Sequence, residues 1–393
     1  RSTRVRSSVA SDVYKRQIGD PAVKMAYPEF GMKVTTVNGQ SVDGNSISFK
    51  ALEKITVEGE VLDASGQLVT DFTGIVNPTV KDSKVTVTCL KNSNKDDSPA
   101  FTFTDYPNTI FIGNDSVRNG KFSFTFTVPK DISYSNLQGK MNLYAVDTES
   151  GNEAQGNFDN FIVGGTSDTA ETDTIGPEIR ALYLNDTTFV DGGQVNTTPY
   201  FVAELWDKSG VNITGSSVGH DMMLVIDEST VLSYNLNSYY ELLLGEDGTG
   251  IVKFPIPALE PGKHTAEFWV WDILNNSTVR TFTFEVVEGL KPFLFDVIAT
   301  PGIAREQVTF HLMHNRPESR MRVGIMVYDL AGRQLWKHEE SGTSGLFENY
   351  TVSWDLTSGG ARMRPGVYIY RAAISTDNSK DATKARKFII LGE

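Results

Sequence analysis

The feature that most constrains this chain is a period of two between apolar and polar residues. It is clearest over 122–128, where three phenylalanines and a valine alternate with serine and threonine. Successive side chains of a β-strand point to opposite faces of a sheet, so this segment would place its apolar residues together. The same alternation recurs over 55–62 and 85–89. It is typical of antiparallel strands with one buried and one exposed face.

No long segment shows the period of an amphipathic helix, and 237–244 is a short candidate only. The sequence therefore predicts an all-β protein made of tandem immunoglobulin-like β-sandwiches. A chain of 393 residues is long enough for several domains. We predict three β-sandwich domains and a small, polar, acidic linker, with the boundaries 31–163 (sandwich), 164–174 (linker), 175–289 (immunoglobulin-like) and 293–393 (C-terminal, immunoglobulin-like).

The second domain carries six segments that are rich in β-branched and aromatic residues. They are expected to form strands at 179–184, 200–206, 223–226, 251–256, 264–271 and 281–287. A shorter joint at 289–292 precedes the last domain.

The first residues differ from the rest in charge. Residues 1–17 hold five Lys and Arg against one Asp, which gives them a charge of +4. The net charge of the whole chain is −13, so residues 18–393 carry −17. They lack the apolar core of a secretory signal. We interpret them as a non-native leader that resembles translated sequencing-adapter read-through. Residues 18–30 would then be the tail of a missing upstream domain.

Composition excludes several classes of protein. The net charge of −13 and the pI near 5.0 argue against nucleic acid as a partner, which would require a clustered basic surface. A single cysteine, Cys89, excludes a disulfide scaffold. No apolar run reaches the roughly 20 residues of a membrane-spanning helix.

The sequence offers two candidates for chemistry, one cysteine and one group of acidic and amide residues. Cys89 lies in a predicted strand without a histidine nearby in sequence, so it is interpreted as a structural strand residue rather than a nucleophile. Asp207, Asp272 and Asn275 follow predicted strands and could bind Ca²⁺, although such residues also favour turns. We assign no catalytic, cofactor-binding or metal-binding residue, and no cofactor, with calcium kept as a minor alternative.

The last domain resembles the C-terminal domains of type IX secretion proteins of Bacteroidetes, also described as FlgD-like immunoglobulin domains. The resemblance is carried by 295–312, 323–333 and 364–371. One turn departs from it, because Pro301-Gly302-Ile303-Ala304 stands where Pro-Asn-Pro-Ala is usual.

A wider resemblance covers the chain from Ile18 onward. Three blocks occur in the order found in the gingipain-like cysteine peptidases that act as type IX secretion sortases: 18–25, 175–185 and 315–319. The first matches the phrase that closes the catalytic domain of that family. The resemblance implies a peptidase that removes the sorting domain of exported cargo and joins the cargo to lipopolysaccharide. It also implies that the catalytic His and Cys precede Ile18, so this chain would be structural.

The implied location is the bacterial cell surface, in association with the outer membrane. The implied partners are an outer-membrane barrel, other components of the attachment complex and, through the catalytic domain, the cargo. The alternative is an exported adhesin or cargo protein whose last domain is a sorting signal. A cargo would lose the region after about Gly289 on export, whereas a sortase would keep it. A polysaccharide-active enzyme is a weaker third alternative. It would need exposed aromatic side chains to bind sugars, whereas most of the five tryptophans lie in alternating strands, so at least half are expected in the cores.

Overall fold

The computed structural model describes residues 27–90, 99–168, 173–215, 219–243, 248–376 and 379–392. Within these ranges nearly all regular structure is β, and the one helical piece is a 3₁₀ turn at Asn237–Tyr239. The predicted all-β class of tandem sandwiches is confirmed. No helix among the described residues is long and apolar enough to cross a membrane. The predicted leader at 1–17, residues 18–26 and part of the linker lie outside the described residues.

The first unit contains fourteen strands, of which twelve surround one apolar core. They are β1 (Phe30–Val37), β2 (Gln40–Ser41), β3 (Ile47–Ala51), β4 (Lys54–Leu62), β5 (Gly74–Lys81), β6 (Val85–Thr88), β7 (Thr102–Asp105), β8 (Thr109–Ile112), β9 (Asp115–Arg118), β10 (Lys121–Thr127), β11 (Leu137–Gln138), β12 (Lys140–Asp147), β13 (Glu153–Phe158) and β14 (Phe161–Thr166). The large sheet runs β12-β13-β1-β4-β10-β9-β5-β8, and β12 also pairs with β5, which closes the path. A smaller sheet runs β11-β14-β3.

The phenylalanine alternation seen in the sequence forms the middle of this core. In β10, Phe122, Phe124 and Phe126 are all at most 5% exposed, while the serine and threonine residues between them face outward. Phe126 contacts Phe49 of the smaller sheet edge to face, with ring centroids 5.8 Å apart. Aromatic rings that interdigitate in this way bury large apolar areas, so the two sheets are held together by their inner faces.

The second unit contains nine strands in two sheets. They are β15 (Glu178–Leu184), β16 (Gln194–Val195), β17 (Tyr200–Trp206), β18 (Met223–Ile226), β19 (Ser233–Asn235), β20 (Tyr240–Leu242), β21 (Thr249–Pro255), β22 (Gly262–Trp271) and β23 (Ser277–Val286). One sheet runs β15-β17-β21-β20 and the other β16-β23-β22-β18-β19. All six strands expected from the sequence are present, and β16, β19 and β20 are additional short strands.

The third unit contains ten strands and a core of its own. They are β24 (Leu294–Thr300), β25 (Ile303–Ala304), β26 (Val308–His314), β27 (Met321–Tyr328), β28 (Gln334–Gly342), β29 (Tyr350–Trp354), β30 (Thr357–Ser358), β31 (Ala361–Arg362), β32 (Gly366–Ser375) and β33 (Ala382–Ile390). The facing sheets run β24-β26-β29 and β25-β33-β32-β27-β28. The unusual Pro301-Gly302 pair lies in the turn between β24 and β25, outside both strands.

One alternating segment does not join a sandwich. Strands β6 and β7 form a separate two-stranded ribbon, which brings Cys89 opposite Phe101. Its aromatic residues stay in solvent, with Phe101 71% and Phe103 40% exposed. The alternation correctly marks an apolar face here, but a period of two cannot show whether another sheet covers that face.

The tryptophans are less buried than the alternation suggests. Of the five, only Trp354 is buried, at 4% exposure, and the other four are half-buried. Trp269 and Trp271 alternate with the buried Phe268 and Val270 of β22, so they lie on the outer face of the sheet.

Candidate functional site

The structure brings three aspartates together at one end of the second unit. Asp207 follows β17, Asp272 follows β22, and Asp173 precedes β15 in the segment predicted as a linker. Their ligand oxygens all lie within 4.8 Å of one another. Asp272 is fully buried and Asp207 is 6% exposed. An antiparallel bridge between Val211 and Asp272 holds the loops after β17 and β22 side by side.

Each aspartate is fixed by hydrogen bonds from the loops around it. The main-chain N–H groups of Ser209 and Gly210 donate to Asp207 Oδ1 at 2.8 and 2.9 Å. Asn276 donates from its main-chain N–H to Asp272 Oδ1 at 2.7 Å and from Nδ2 to Asp272 Oδ2 at 2.6 Å. The Ser209 hydroxyl donates to Asp173 Oδ2 at 3.0 Å. These bonds satisfy the carboxylates locally and fix the directions in which they point.

The three carboxylates differ in acidity. Burial, helped by the negative charges of Asp272 and Asp173 and opposed by the hydrogen bonds from Ser209 and Gly210, raises the pKa of Asp207 to about 6. Burial also raises the pKa of Asp272. The pKa of Asp173 is lowered, chiefly by the hydrogen bond from the main chain of Ile175. The cluster therefore concentrates negative charge that the fold stabilises only in part.

Calcium prefers six to eight oxygen ligands, often carboxylates. Two of the three residues predicted as calcium ligands, Asp207 and Asp272, do meet in the fold. Asp173 was not among the predicted ligands, because its place in a polar linker gave no sign that it folds back onto loops 34 and 99 residues away. Calcium binding stays a prediction.

The third predicted ligand, Asn275, is placed elsewhere. Its Nδ2 donates to Asp131 Oδ1 of the first unit at 2.8 Å. The imidazole Nδ1 of His220 lies 2.6 Å from the other oxygen of Asp131, and the ring of His220 packs on Trp271. The main-chain N–H of Lys130 donates to the carbonyl of Ile273 at 2.8 Å. The loop 272–276 therefore carries one member of the aspartate cluster and also contacts the first unit.

A cavity of about 520 Å³ lies between these two units. It is lined by apolar residues such as Phe111, Ile112 and Tyr240, and Asp207 reaches its wall. Ile112 of the first unit packs against the core of the second, so the surfaces in contact are apolar as well as hydrogen-bonded.

A buried arginine defines the joint between the second and third units. Arg316 is 1% exposed and lies in the turn between β26 and β27. Its guanidinium donates to the carbonyls of Leu290 and Lys291 at 3.1 and 3.4 Å, and to the carbonyl and side chain of Asn315, both at 3.0 Å. Beside it, burial and then the Arg316 charge lower the pKa of His314 to about 4.

The remaining candidates for catalysis do not converge. Cys89 lies on the exposed ribbon of the first unit. Four of the five histidines bond to other groups, which are Asp131 for His220, Asp227 for His264, Ser344 for His314 and Glu340 for His338. The interpretation of Cys89 as a structural residue stays a prediction.

No family model matches this chain, and no curated protein does. Among solved structures, dimeric latent PorU from Porphyromonas gingivalis is 38% identical over 96% of this chain, with a TM-score of 0.42. The match covers 35% of the PorU chain, so this chain spans about a third of its length.

Two further structures are much less similar in sequence. The tetra-tandem repeat from the extending region of a large adhesion protein is 14% identical over 93% of this chain and 74% of that one, with a TM-score of 0.19. The Ig1-2 module of the Drosophila receptor protein tyrosine phosphatase DLAR is 10% identical over 56% of this chain and 100% of its own, with a TM-score of 0.23. All these TM-scores are low, so the likeness to PorU is one of sequence and the fold rests on the sheets described above.

Proposed function

We propose that this chain is the C-terminal, non-catalytic portion of a type IX secretion sortase. The observation that carries the proposal is the 38% identity to PorU over 96% of the chain. Motifs at 18–25, 175–185 and 315–319 occur in the order expected of that family. An identity that extends over three units favours a shared architecture over a single shared module.

The role we propose for this portion is to brace a cysteine-peptidase domain and to dock it at the cell surface. The three largest apolar cores, one in each unit, support the proposed division into units at 31–163, 175–289 and 293–393. The contacts of Asp131 with His220 and Asn275 join the first two units, and the contacts of Arg316 join the last two. Such a series of fixed joints suits a spacer that must hold a peptidase at a defined position.

The partners that follow from this proposal are an outer-membrane barrel, other components of an attachment complex and, through the peptidase domain, the cargo. The proposed location is the outer surface of the outer membrane. The net charge of −13 fits a solvent-exposed surface protein and argues against nucleic acid.

The fate of the last unit tests the proposal against the alternative of an exported cargo or adhesin. Mature protein from the surface of the source bacterium would be digested and its peptides quantified by mass spectrometry. A sortase keeps its last unit, so peptides from 364–390 should match peptides from 200–260 in amount. Loss of the peptides after about Gly289 would identify the chain as processed cargo and overturn the proposal.

A further inference from the structure

The charge of this chain is divided unevenly along its length. Residues 293–393 hold 13 Lys and Arg against 11 Asp and Glu, so the third unit has a net charge of +2. The whole chain has −13 and residues 1–17 have +4, so residues 18–292 carry −19. A molecule with this distribution is attracted to an anionic partner through its third unit and repelled through the other two.

The outer face of the larger sheet of the third unit carries three uncompensated positive charges. Arg322 of β27, Arg371 of β32 and Lys387 of β33 alternate with residues that face the core, so their side chains lie on the outer face. All three residues are exposed. None of the three forms an ion pair or a side-chain hydrogen bond with any residue that the structure describes.

The strand register shows how these charges are spaced. Lys387 lies opposite Ile369, two residues from Arg371 along β32, so Lys387 and Arg371 are diagonal neighbours about 7–8 Å apart. Arg322 lies opposite Ser375, four residues from Arg371 in the other direction, which places Arg322 about 14 Å from Arg371. One phosphate or carboxylate group cannot contact all three, so the spacing suits an extended anionic surface.

The acidic residue on the strands of this face does not compensate these charges. Glu339 of β28 pairs with Lys337 of the same strand, with Nζ 2.8 Å from Oε1. Elsewhere in the third unit a cation on the side of the sandwich does have a partner, since Arg386 pairs with Asp296 at 2.8 Å. The outer face therefore keeps an excess of three positive charges.

Apolar side chains lie between the charges. Met326 and Ile369 are half-buried, Val367 is 40% exposed, and Ile303 at the edge of the same sheet is 55% exposed. Cations interleaved with apolar side chains are typical of surfaces that lie on anionic membranes. Strands β27 and β32 are paired on both sides, so a polypeptide cannot add to the middle of this face as a further strand. Contact is left to the side chains, which suits a flat lipid surface.

We propose that this face binds the surface of a membrane that contains anionic lipids. Arg322, Arg371 and Lys387 contact lipid phosphates, and Val367 and Ile369 lie against the headgroup region. The two acidic units point away from the membrane, because the charge that attracts the third unit repels them. The inference rests on the charges of the third unit and does not depend on the proposed sortase role.

The probe is a vesicle of phosphatidylcholine and phosphatidylglycerol in equal amounts, and binding of the full chain is measured by co-sedimentation at low salt. We expect binding to these vesicles, none to pure phosphatidylcholine, and release in about 1 M salt, where the Debye length is about 3 Å. Arg371→Gln should weaken binding about five-fold and Arg371→Glu at least about ten-fold, because the first removes one charge and the second reverses it. Both variants should unfold at the wild-type temperature, since Arg371 is exposed and makes no ion pair within the described chain.

Lys50→Glu is the matched control, because it makes the same change in charge at an exposed position of the first unit and should leave binding unchanged. Residues 1–17 are also basic, so the criterion is the difference between Arg371→Glu and Lys50→Glu rather than binding alone. Equal losses in the two variants, or equal binding to neutral vesicles, would overturn the proposal. It would also be overturned if the chain ignored vesicles and Arg371→Glu instead abolished binding of a hexaglutamate peptide or dissolved a dimer seen by light scattering. The first result would assign the face to an acidic polypeptide and the second to another copy of this chain.

Discussion

Replacing Arg316 by methionine tests whether one buried side chain holds the third unit to the second. Methionine has a stem of similar length and fills much of the same space, so the change removes mainly the charge and its hydrogen bonds. The guanidinium donates to Leu290 and Lys291, which immediately precede β24, the first strand of the third unit. Without it these two carbonyls would lose their charged hydrogen-bond donor.

The magnitude follows from those bonds. A hydrogen bond from a charged donor contributes about 1.5–3 kcal/mol. The bond to Leu290, at 3.1 Å, should count fully, and the bond to Lys291, at 3.4 Å, should count for less. Methionine regains part of the loss because a buried charge no longer has to be desolvated. We expect a net loss of about 2–4 kcal/mol, which corresponds to a fall of at least about 8 °C in the unfolding temperature of a unit of this size.

Two measurements check this expectation. Differential scanning calorimetry gives the unfolding temperature, and hydrogen exchange followed by mass spectrometry shows whether protection is lost at 286–296. Arg316→Lys should lie between the wild type and Arg316→Met, because it keeps the charge but not the planar fork. Arg333→Met is the control, since Arg333 is 77% exposed and its ion pair with Asp329 should contribute less than about 1 kcal/mol. An Arg316→Met protein with an unchanged unfolding temperature and unchanged exchange would refute the reasoning.

Four further outcomes are expected. Asp207 has a raised pKa in the folded state, so the free energy of unfolding falls as the pH rises from 3.8 to about 6. Asp207→Asn should therefore stabilise the second unit at pH 7 by about 1–2 kcal/mol after allowance for solvent screening. Urea unfolding with a chelator present measures this difference. His314 has a lowered pKa, so the folded state loses stability as the pH falls from 6.5 towards about 4, and His314→Gln should flatten that loss in the same assay. Asp131→Ala should increase hydrogen exchange at 272–276 by about ten-fold, because two bonds to the second unit are lost; equal exchange would show that this contact is not formed in solution. The purified chain should not hydrolyse peptide substrates, and turnover that iodoacetamide blocks would contradict a non-catalytic role.

The sequence predicted the cores well because alternation reports directly on burial. Phe122, Phe124 and Phe126 face inward as their spacing requires, and the six strands expected in the second unit all form. The alternation was less informative where no second sheet packs on the apolar face of a strand. The segment at 85–88 alternates like a core strand, but it pairs only with 102–105. A period of two identifies the apolar side of a strand and says nothing about what packs against it.

The aspartate cluster and the contacts between units could not be predicted from alternation. Asp173 meets Asp207 and Asp272 only because three loops of different sequence separation converge. Arg316 lies in a polar turn, where an arginine would be expected to face solvent, and it is buried because the joint at Leu290 folds over it. Both outcomes depend on how one unit or loop is placed on another, and local periodicity does not carry that information.

This difference has a physical basis that bears on the proposed role. Apolar burial is strong but non-directional, so it can hold each unit together without fixing how one unit is oriented to the next. Hydrogen bonds depend on distance and angle, and both joints of this chain use them: Asp131 binds two side chains of the second unit, and Arg316 binds main-chain carbonyls that cannot move without moving β24. A chain that only linked a peptidase to a surface would not need such joints. Their presence supports the proposed role of a spacer that sets orientation as well as distance. Under that proposal, variants at Asp131 or Arg316 should change the orientation between units before they unfold the cores.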